Sequence, residues 1–210
     1  MVGHALKLSL IVALLATAIV AVVGSGCGWW LARSRFRGRA WIDALLMLPL
    51  VLPPTVTGYY LIVLFGRRGL IGGSLPFTAG ACVLAAAVIS LPLMVRAARS
   101  AFEAIDPAQL TSAASLGARP SAVFFRVALP LASRGLIAGV MLTFARALGE
   151  FGATLMLAGN IPGRTQTLPL ALYEAVMIGE DRRAMWLSLL LTAVSILALV
   201  ALSKLTERRR

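Results

Sequence analysis

The strongest constraint on this chain is the length of its apolar runs. Five stretches, about Leu6 to Leu31, Trp41 to Phe65, Leu75 to Val95, Gly135 to Ala158 and Ala184 to Ser203, carry little charge. Each reaches the roughly 20 residues that an α-helix needs to cross a bilayer's hydrocarbon layer. In lipid the backbone must satisfy its own N–H and C=O groups, which leaves helices or closed barrels, and no alternating strand pattern is present. With 60% hydrophobic and 13% charged residues, a soluble domain would lack the polar surface to cover itself. The expected fold is therefore all-α: a multi-pass membrane protein with about five transmembrane helices, read as one domain over residues 1–210 with no appended soluble domain. The first apolar run is too long for a signal peptide and continues into Trp29 and Trp30, so it is expected to be retained.

A net charge of +12 raises the question of nucleic acid, but the basic residues sit in short segments between apolar runs and form no continuous face. Orientation explains them better. Arg33, Arg35, Arg37, Arg39, Arg96, Arg99, Arg119, Arg126, Arg134, Lys204, Arg208, Arg209 and Arg210 fall on one side. Lys7, Arg67, Arg68, Arg164, Arg182 and Arg183 fall on the other, and Arg146 lies within a span. Thirteen against six predicts an outside N-terminus and a cytoplasmic C-terminus. Residues 167–180 are too short to cross and are expected as a re-entrant or interfacial helix. Cys27 and Cys82 lie in apolar runs and read as small packing residues.

The segment 96–134 is the one sizeable stretch on the cytoplasmic side, and it reads as two short helices. Asp106 caps the first, Pro107 opens it and Gly117 ends it. Pro120 starts the second, which is expected to stop at Pro130. Ser112, Ala113, Ala114 and Ser115 leave the first helix thin, while Val123, Phe124, Phe125 and Val127 make the second bulky. Such a hairpin either rests on the inner bilayer surface or docks a cytoplasmic partner.

Two further features sit inside spans. Pro49, Pro53 and Pro54 interrupt the second run, followed at once by Thr55, Thr57 and Gly58; a broken helix of this kind lines a substrate route or is a kink packed on a neighbour. Arg146 and Glu150, four residues apart, place charge in the apolar layer at a cost of about 2.5 to 3.5 kcal/mol each unless paired or wet. They form either a polar clamp or part of an anion path, for which a guanidinium's fixed fork of donors suits a tetrahedral dianion. Gly24 with Gly28 and Gly135 with Gly139 are spaced for close helix packing.

Gly159 to Thr165, "GNIPGRT", fails as a phosphate loop because three residues rather than four separate the glycines and arginine replaces lysine. An intramembrane enzyme is disfavoured as well: His4 is the sole histidine, and apart from Glu150 and Asp43 no carboxylate falls within a span. A self-contained channel or secondary transporter lacks an evident inverted repeat.

The stretch "SAASLGARPSAVFFRVALPLASRGLIAG" resembles the cytoplasmic loop of the membrane subunits of bacterial ABC importers, whose pattern is Glu-Ala-Ala, three residues, Gly, nine residues, Ile-x-Leu-Pro. Gly117 matches the glycine, and Val127, Leu129 and Pro130 match the end. Thr111 stands at the glutamate position, followed by Ser112, Ala113 and Ala114, so a salt bridge made there by the family does not carry over. "LPLVLPPTVTGYYL" with "RALGEFGATLMLAGNIPGRTQTLPLALYEA" is similar to molybdate permeases and, less closely, to sulfate and tungstate permeases. The resemblance implies a MetI-like permease fold with two coupling helices inside residues 96–134. It also implies a plasma-membrane homodimer, two ATP-binding cassette subunits carrying ATP and magnesium, an extracytoplasmic oxyanion-binding protein and molybdate as cargo. This chain itself would bind no cofactor or nucleic acid.

Overall fold

The computed structural model describes residues 2–34, 36–67, 69–71 and 73–207. Arg35, Arg68, Arg208, Arg209 and Arg210, counted above for orientation, lie outside the described residues. The described chain is helical: α1 (Val2–Arg33), α2 (Arg39–Val51), α3 (Pro54–Phe65), α4 (Ala79–Glu103), α5 (Pro107–Ser115), α6 (Pro120–Val123), α7 (Leu129–Leu148), α8 (Gly152–Ala158), α9 (Leu168–Met177) and α10 (Asp181–Glu207).

Helix α4 is the central post. A β carbon on Gly24 would lie 2.7 Å from Met94 Cγ, and one on Gly28 would lie 2.6 Å from Ala98 Cβ. Both numbers rise together, so α1 and α4 run parallel. On the other flank a β carbon on Gly135 would lie 2.5 Å from Ala101 Cβ, and one on Gly139 would lie 2.8 Å from Ala97 Cβ. There one number rises as the other falls, so α7 is antiparallel to α4. Glycines four apart on both flanking helices meet α4 closely, Gly28, Gly135 and Gly139 on alanines and Gly24 on Met94, which is the close-packing role their spacing predicted.

This arrangement fixes the path of the intervening chain. Arg39 pairs with Glu103 at the C-terminal end of α4 at 2.8 Å, whereas Thr78 caps the opposite end by accepting from the Ala81 amide at 3.2 Å. Residues 39–78 therefore travel the whole length of α4, about 37 Å at 1.5 Å per residue. They do so as a broken span: α2 and α3 meet at 114°. The cause is the proline pair. A residue before proline is pushed out of the α region, and both Leu52 (ψ 146°) and Pro53 (ψ 134°) take extended backbone.

Two expected boundaries are overturned. Pro130 does not stop a helix: α6, a π-helical turn over Phe124–Ala128 and α7 form one continuous rod from Pro120 to Leu148. The Leu129 amide donates to the Phe124 carbonyl five residues back; this widened turn accommodates the donor that Pro130 lacks, as π-bulges commonly do. The fourth span, expected to run from Gly135 to Ala158, instead ends at Leu148, and residues 149–151 separate it from the seven-residue α8. Glu150 thus stands just beyond the end of α7 rather than on its face.

Among the described residues four helices are long and apolar enough to cross a membrane, and the bent α2–α3 pair brings the number to five. The ten-residue α9 joins a small cluster in which Ala5 of α1 and Leu187 of α10 meet Leu168, Ala171 and Ala175. Helix α10 starts there, at the Thr78 end, and its 27 residues carry it about 40 Å toward the Glu103 end.

Candidate functional site

Two places in the fold combine unusual backbone with polar side chains: the hairpin at the Glu103 end and the meeting of the two broken spans.

At the Glu103 end, Asp106 accepts from the Ala108 amide at 2.9 Å and Pro107 opens α5, as the sequence predicts. Gly117 has φ +81°, the Gly117 amide donates to Ala114 and the Ala118 amide to Ala113, a glycine stop that satisfies the last carbonyls of α5. The outer surface of α5 is thin and open. Thr111, Ser112, Ala114 and Gly117 are exposed and Ala113 half-buried, while Leu116 at the tip is 89% exposed and Phe125 on the following rod 64%. Thr111 donates its hydroxyl to the Pro107 carbonyl at 2.9 Å. Its side chain is thus engaged within the helix and offers no substitute for a carboxylate. Val127 and Leu129 are half-buried and pack against the core, and Pro130 faces outward.

What anchors this hairpin was not evident from motif spacing. The Trp29 ring of α1 lies 5.0 Å from Phe102 of α4 and 5.2 Å from Phe124 of the π-turn, and Phe102 is 6.1 Å from Phe124. Such edge and tilted contacts add about 0.5 to 1.5 kcal/mol each beyond burial. Arg33 stacks its guanidinium 4.8 Å above Trp29, a cation–π contact. Beside it, Arg99 reaches both Asp43 of α2 and Glu103 at 2.9 Å, and Arg39 reaches Glu103 at 2.8 Å. Asp43, read above as a carboxylate inside a span, belongs to this network. The hairpin is therefore joined through aromatic rings to α1 and α4, and α4 is joined through ions to the first half of the broken span. Trp29 and Phe102 were missed by sequence reasoning because the three rings come together from segments about 70 and 95 residues apart; no local pattern links them.

The second place brings together candidates that lie far apart in sequence. A β carbon on Gly58 would sit 2.7 Å from Met156 Cβ and 2.9 Å from Ala153 Cα; one on Gly152 would sit 3.0 Å from Pro54 Cβ. Helix α3, which follows the proline break, thus lies directly on α8, which follows the break at 149–151. Glu150 is held at this contact. Its side chain is 2% exposed and its Oε2 lies 2.8 Å from Arg146 Nη2, whose side chain is 29% exposed. Oε1 accepts from the Ala153 amide at 2.8 Å and so caps α8. Oε2 accepts no well-aligned hydrogen bond despite its ion contact. Thr57 is buried with an unbonded hydroxyl, whereas Thr55 is exposed. The contact of the two broken spans is therefore flanked by a partly exposed guanidinium paired with a buried carboxylate at the break after α7, and by a buried hydroxyl on α3 that has no hydrogen-bond partner.

The "GNIPGRT" loop lies at the Thr78 end. The amides of Arg164, Thr165 and Gln166 all donate to the Ile161 carbonyl, and the buried Thr165 hydroxyl accepts from the Ile161 amide and donates to the Gly159 carbonyl. Those amides are directed inward, which removes the backbone cradle a phosphate loop requires. Cys82 is buried with its Sγ 3.6 Å from the Thr165 carbonyl.

Residues 24–210 match the family model described as the binding-protein-dependent transport system inner membrane component. The chain is 43% identical over 206 residues to the molybdenum transport system permease protein ModB of Azotobacter vinelandii, covering 94% of this chain and 91% of that one. It is 44% identical over 218 aligned positions to the protein of the same name from Escherichia coli K12, covering 98% and 95%. Among solved structures, an inward-facing form of the MetNI methionine ABC transporter superimposes with a TM-score of 0.79 at 18% identity, covering 99% of this chain and 95% of that one; at that identity the likeness speaks for the fold. With the MetI-like architecture, the bent span and the hairpin in place, the chain belongs to the family of binding-protein-dependent transport system inner membrane components.

Proposed function

We propose that this chain is the membrane subunit of an ATP-driven importer that moves molybdate inward. The single observation that carries the reading, beside identity above 40% to two molybdenum permeases, is the hairpin at the Glu103 end. A thin helix capped at both ends and presented on a rigid aromatic mount is a lever for an external engine. ATP and its magnesium reside on two partner ATPase subunits, and α5 of each permease copy seats in a cleft of one of them. Closure of the ATPases tilts the hairpin, and the Trp29–Phe102–Phe124 contacts carry the tilt into α1 and α4. Thr111, in place of the family's glutamate, leaves that docking to shape and apolar contact.

The excess of basic residues at the Glu103 end supports a cytoplasmic placement of that end, with the N-terminus outside. The working unit is a homodimer: α2 has no buried residue and α10 exposes Trp186, Leu189 and Ile196, apolar helix faces on which a second copy can pack. The anion arrives on an extracytoplasmic binding protein and passes the contact of the two broken spans, where Arg146 supplies donors for a dianion and Thr57 a hydroxyl. Sulfate and tungstate are the nearest alternative cargoes. The test is uptake of labelled molybdate, tungstate and sulfate into vesicles holding permease, ATPase and binding protein. ATP-dependent molybdate uptake competed more strongly by tungstate than by sulfate is expected; uptake that proceeds without the ATPase sinks the reading.

A further inference from the structure

We propose that a cleft at the Thr78 end is an anion-collecting vestibule, which holds a hydrated tetrahedral dianion before it enters the membrane path. The proposal rests on the transport reading for its direction, and on the cleft itself for its chemistry.

The cleft has a volume of about 650 Å³ and draws its walls from three separate segments: Ile62 and Arg67 around the end of α3, Pro76 and Phe77 before α4, and Arg164 from the loop after α8. No carboxylate lines it. Neither guanidinium makes an ion pair or side-chain hydrogen bond among the described residues. In the neighbouring α9–α10 region Glu174 accepts from Gln166 and Glu180 pairs with Arg183, while Asp181 is exposed at the start of α10 and does not line the cleft. Arg67 and Arg164 are both exposed, so two cations without an ion pair stand at the mouth of a cleft with apolar walls, which raises the local concentration of a counter-ion at low salt.

The wall is held in place at a conformational cost. Phe77 has φ +62°, the only non-glycine residue with positive φ among those described. Such backbone persists where its surroundings over-determine it, and it collects at ligand clamps. The Phe77 amide donates to the Leu157 carbonyl at 3.2 Å. Its ring lies where a β carbon on Gly159 would come within 3.1 Å, so Gly159 makes room for it. The Thr78 hydroxyl is not free for a ligand, since it donates to Leu75 and accepts from Ala81; Ser74 adds a neutral hydroxyl, and the two arginines supply the charge.

Size sets the selectivity. At about 30 Å³ per water the cleft holds on the order of twenty waters, so an oxyanion released from the binding protein is held there hydrated, by charge rather than by fit. Molybdate and sulfate are thus expected to bind alike here, weakly and with strong dependence on salt.

The experiment uses permease assembled with its ATPase in lipid nanodiscs, without binding protein, and equilibrium binding of labelled molybdate and sulfate at low ionic strength. R67Q and R164Q are each expected to weaken both anions by about tenfold, the double variant to abolish binding, and the double lysine variant R67K/R164K to restore part of it. Absence of binding to the parent protein, or full binding to the double glutamine variant, overturns the proposal. So does a double variant that keeps its anion but, in a separate capture assay with binding protein added, no longer holds that protein, which makes the cleft a protein-docking surface. Uptake measured in parallel separates the two readings. Normal molybdate uptake without vestibule binding removes the vestibule alone; vestibule binding without ATP-driven uptake of any oxyanion removes the transport reading alone.

Discussion

Glu150 holds the Ala153 amide at 2.8 Å with one carboxylate oxygen while the other meets the Arg146 guanidinium. One buried side chain therefore starts α8 and neutralises the charge at the end of α7. Its two roles separate under substitution. Glu150→Gln keeps an acceptor for Ala153 and loses the ion pair, whereas Glu150→Ala loses both. Thermal unfolding in detergent is expected to place Glu150→Ala about 1 to 3 kcal/mol below the parent, from a lost cap and an unpaired, partly exposed guanidinium, with Glu150→Gln between them. Arg146→Met adds the functional test: unchanged oxyanion uptake at normal protein levels removes Arg146 from the anion path and leaves it a clamp.

Gly26 and Gly28 lie two residues apart on α1, yet only one has a neighbour. A β carbon at Gly28 would fall 2.8 Å from the Arg99 backbone nitrogen, while one at Gly26 would meet nothing within 4 Å. Gly28→Ala is expected to separate α1 from α4 and cost about 1 to 3 kcal/mol, the usual range for overpacking. Gly26→Ala should be neutral or slightly stabilising, because alanine is the better helix former. Equal melting temperatures for the two variants would refute the packing arrangement.

These cases show what the sequence carried. Spans and close-packing glycines were legible because bilayer thickness and helix period impose patterns on neighbouring residues, and the caps of α5 were legible because Asp106, Pro107 and Gly117 act within their own turn. The continuity through Pro130 was not, since a proline normally ends a helix and only the widened turn at Phe124–Ala128 circumvents it. The break after Leu148 was hidden in an apolar run that continues through α8. The contact of Gly58 with Ala153 and Met156 joins residues about 95 positions apart, and no local spacing encodes it.

Gly117 has φ +81° and open space around the position a β carbon would take. A substitution there acts through backbone alone. Gly117→Val is expected to cost the hairpin about 1 to 2 kcal/mol, the penalty for left-handed backbone in an ordinary residue, and to loosen α5 without disturbing the spans. Co-purification with the ATPase subunit should fall sharply while the permease itself stays folded. Gly117→Asn, which tolerates this conformation, should recover most of the association; failure of both variants alike would mean that bulk at the docking face, not backbone, is what matters.

Phe124 and Phe125 are adjacent, with ring centroids 4.9 Å apart, but they point into different surroundings. Phe124 packs on Trp29 and Phe102, and Phe125 is largely exposed. If the aromatic cluster carries motion from hairpin to spans, Phe124→Ala should leave ATP hydrolysis by the assembled complex running while uptake per ATP drops several-fold, with a stability loss of about 2 to 3 kcal/mol, below the range for a fully buried ring. Phe125→Ala should leave stability unchanged within about 0.5 kcal/mol and weaken only the association with the ATPase. The decisive measurement is the ratio of transport to hydrolysis in vesicles. A Phe124→Ala complex whose ratio matches the parent places the mechanical link elsewhere, with the continuous rod from Pro120 to Leu148 as the direct connection from hairpin to span.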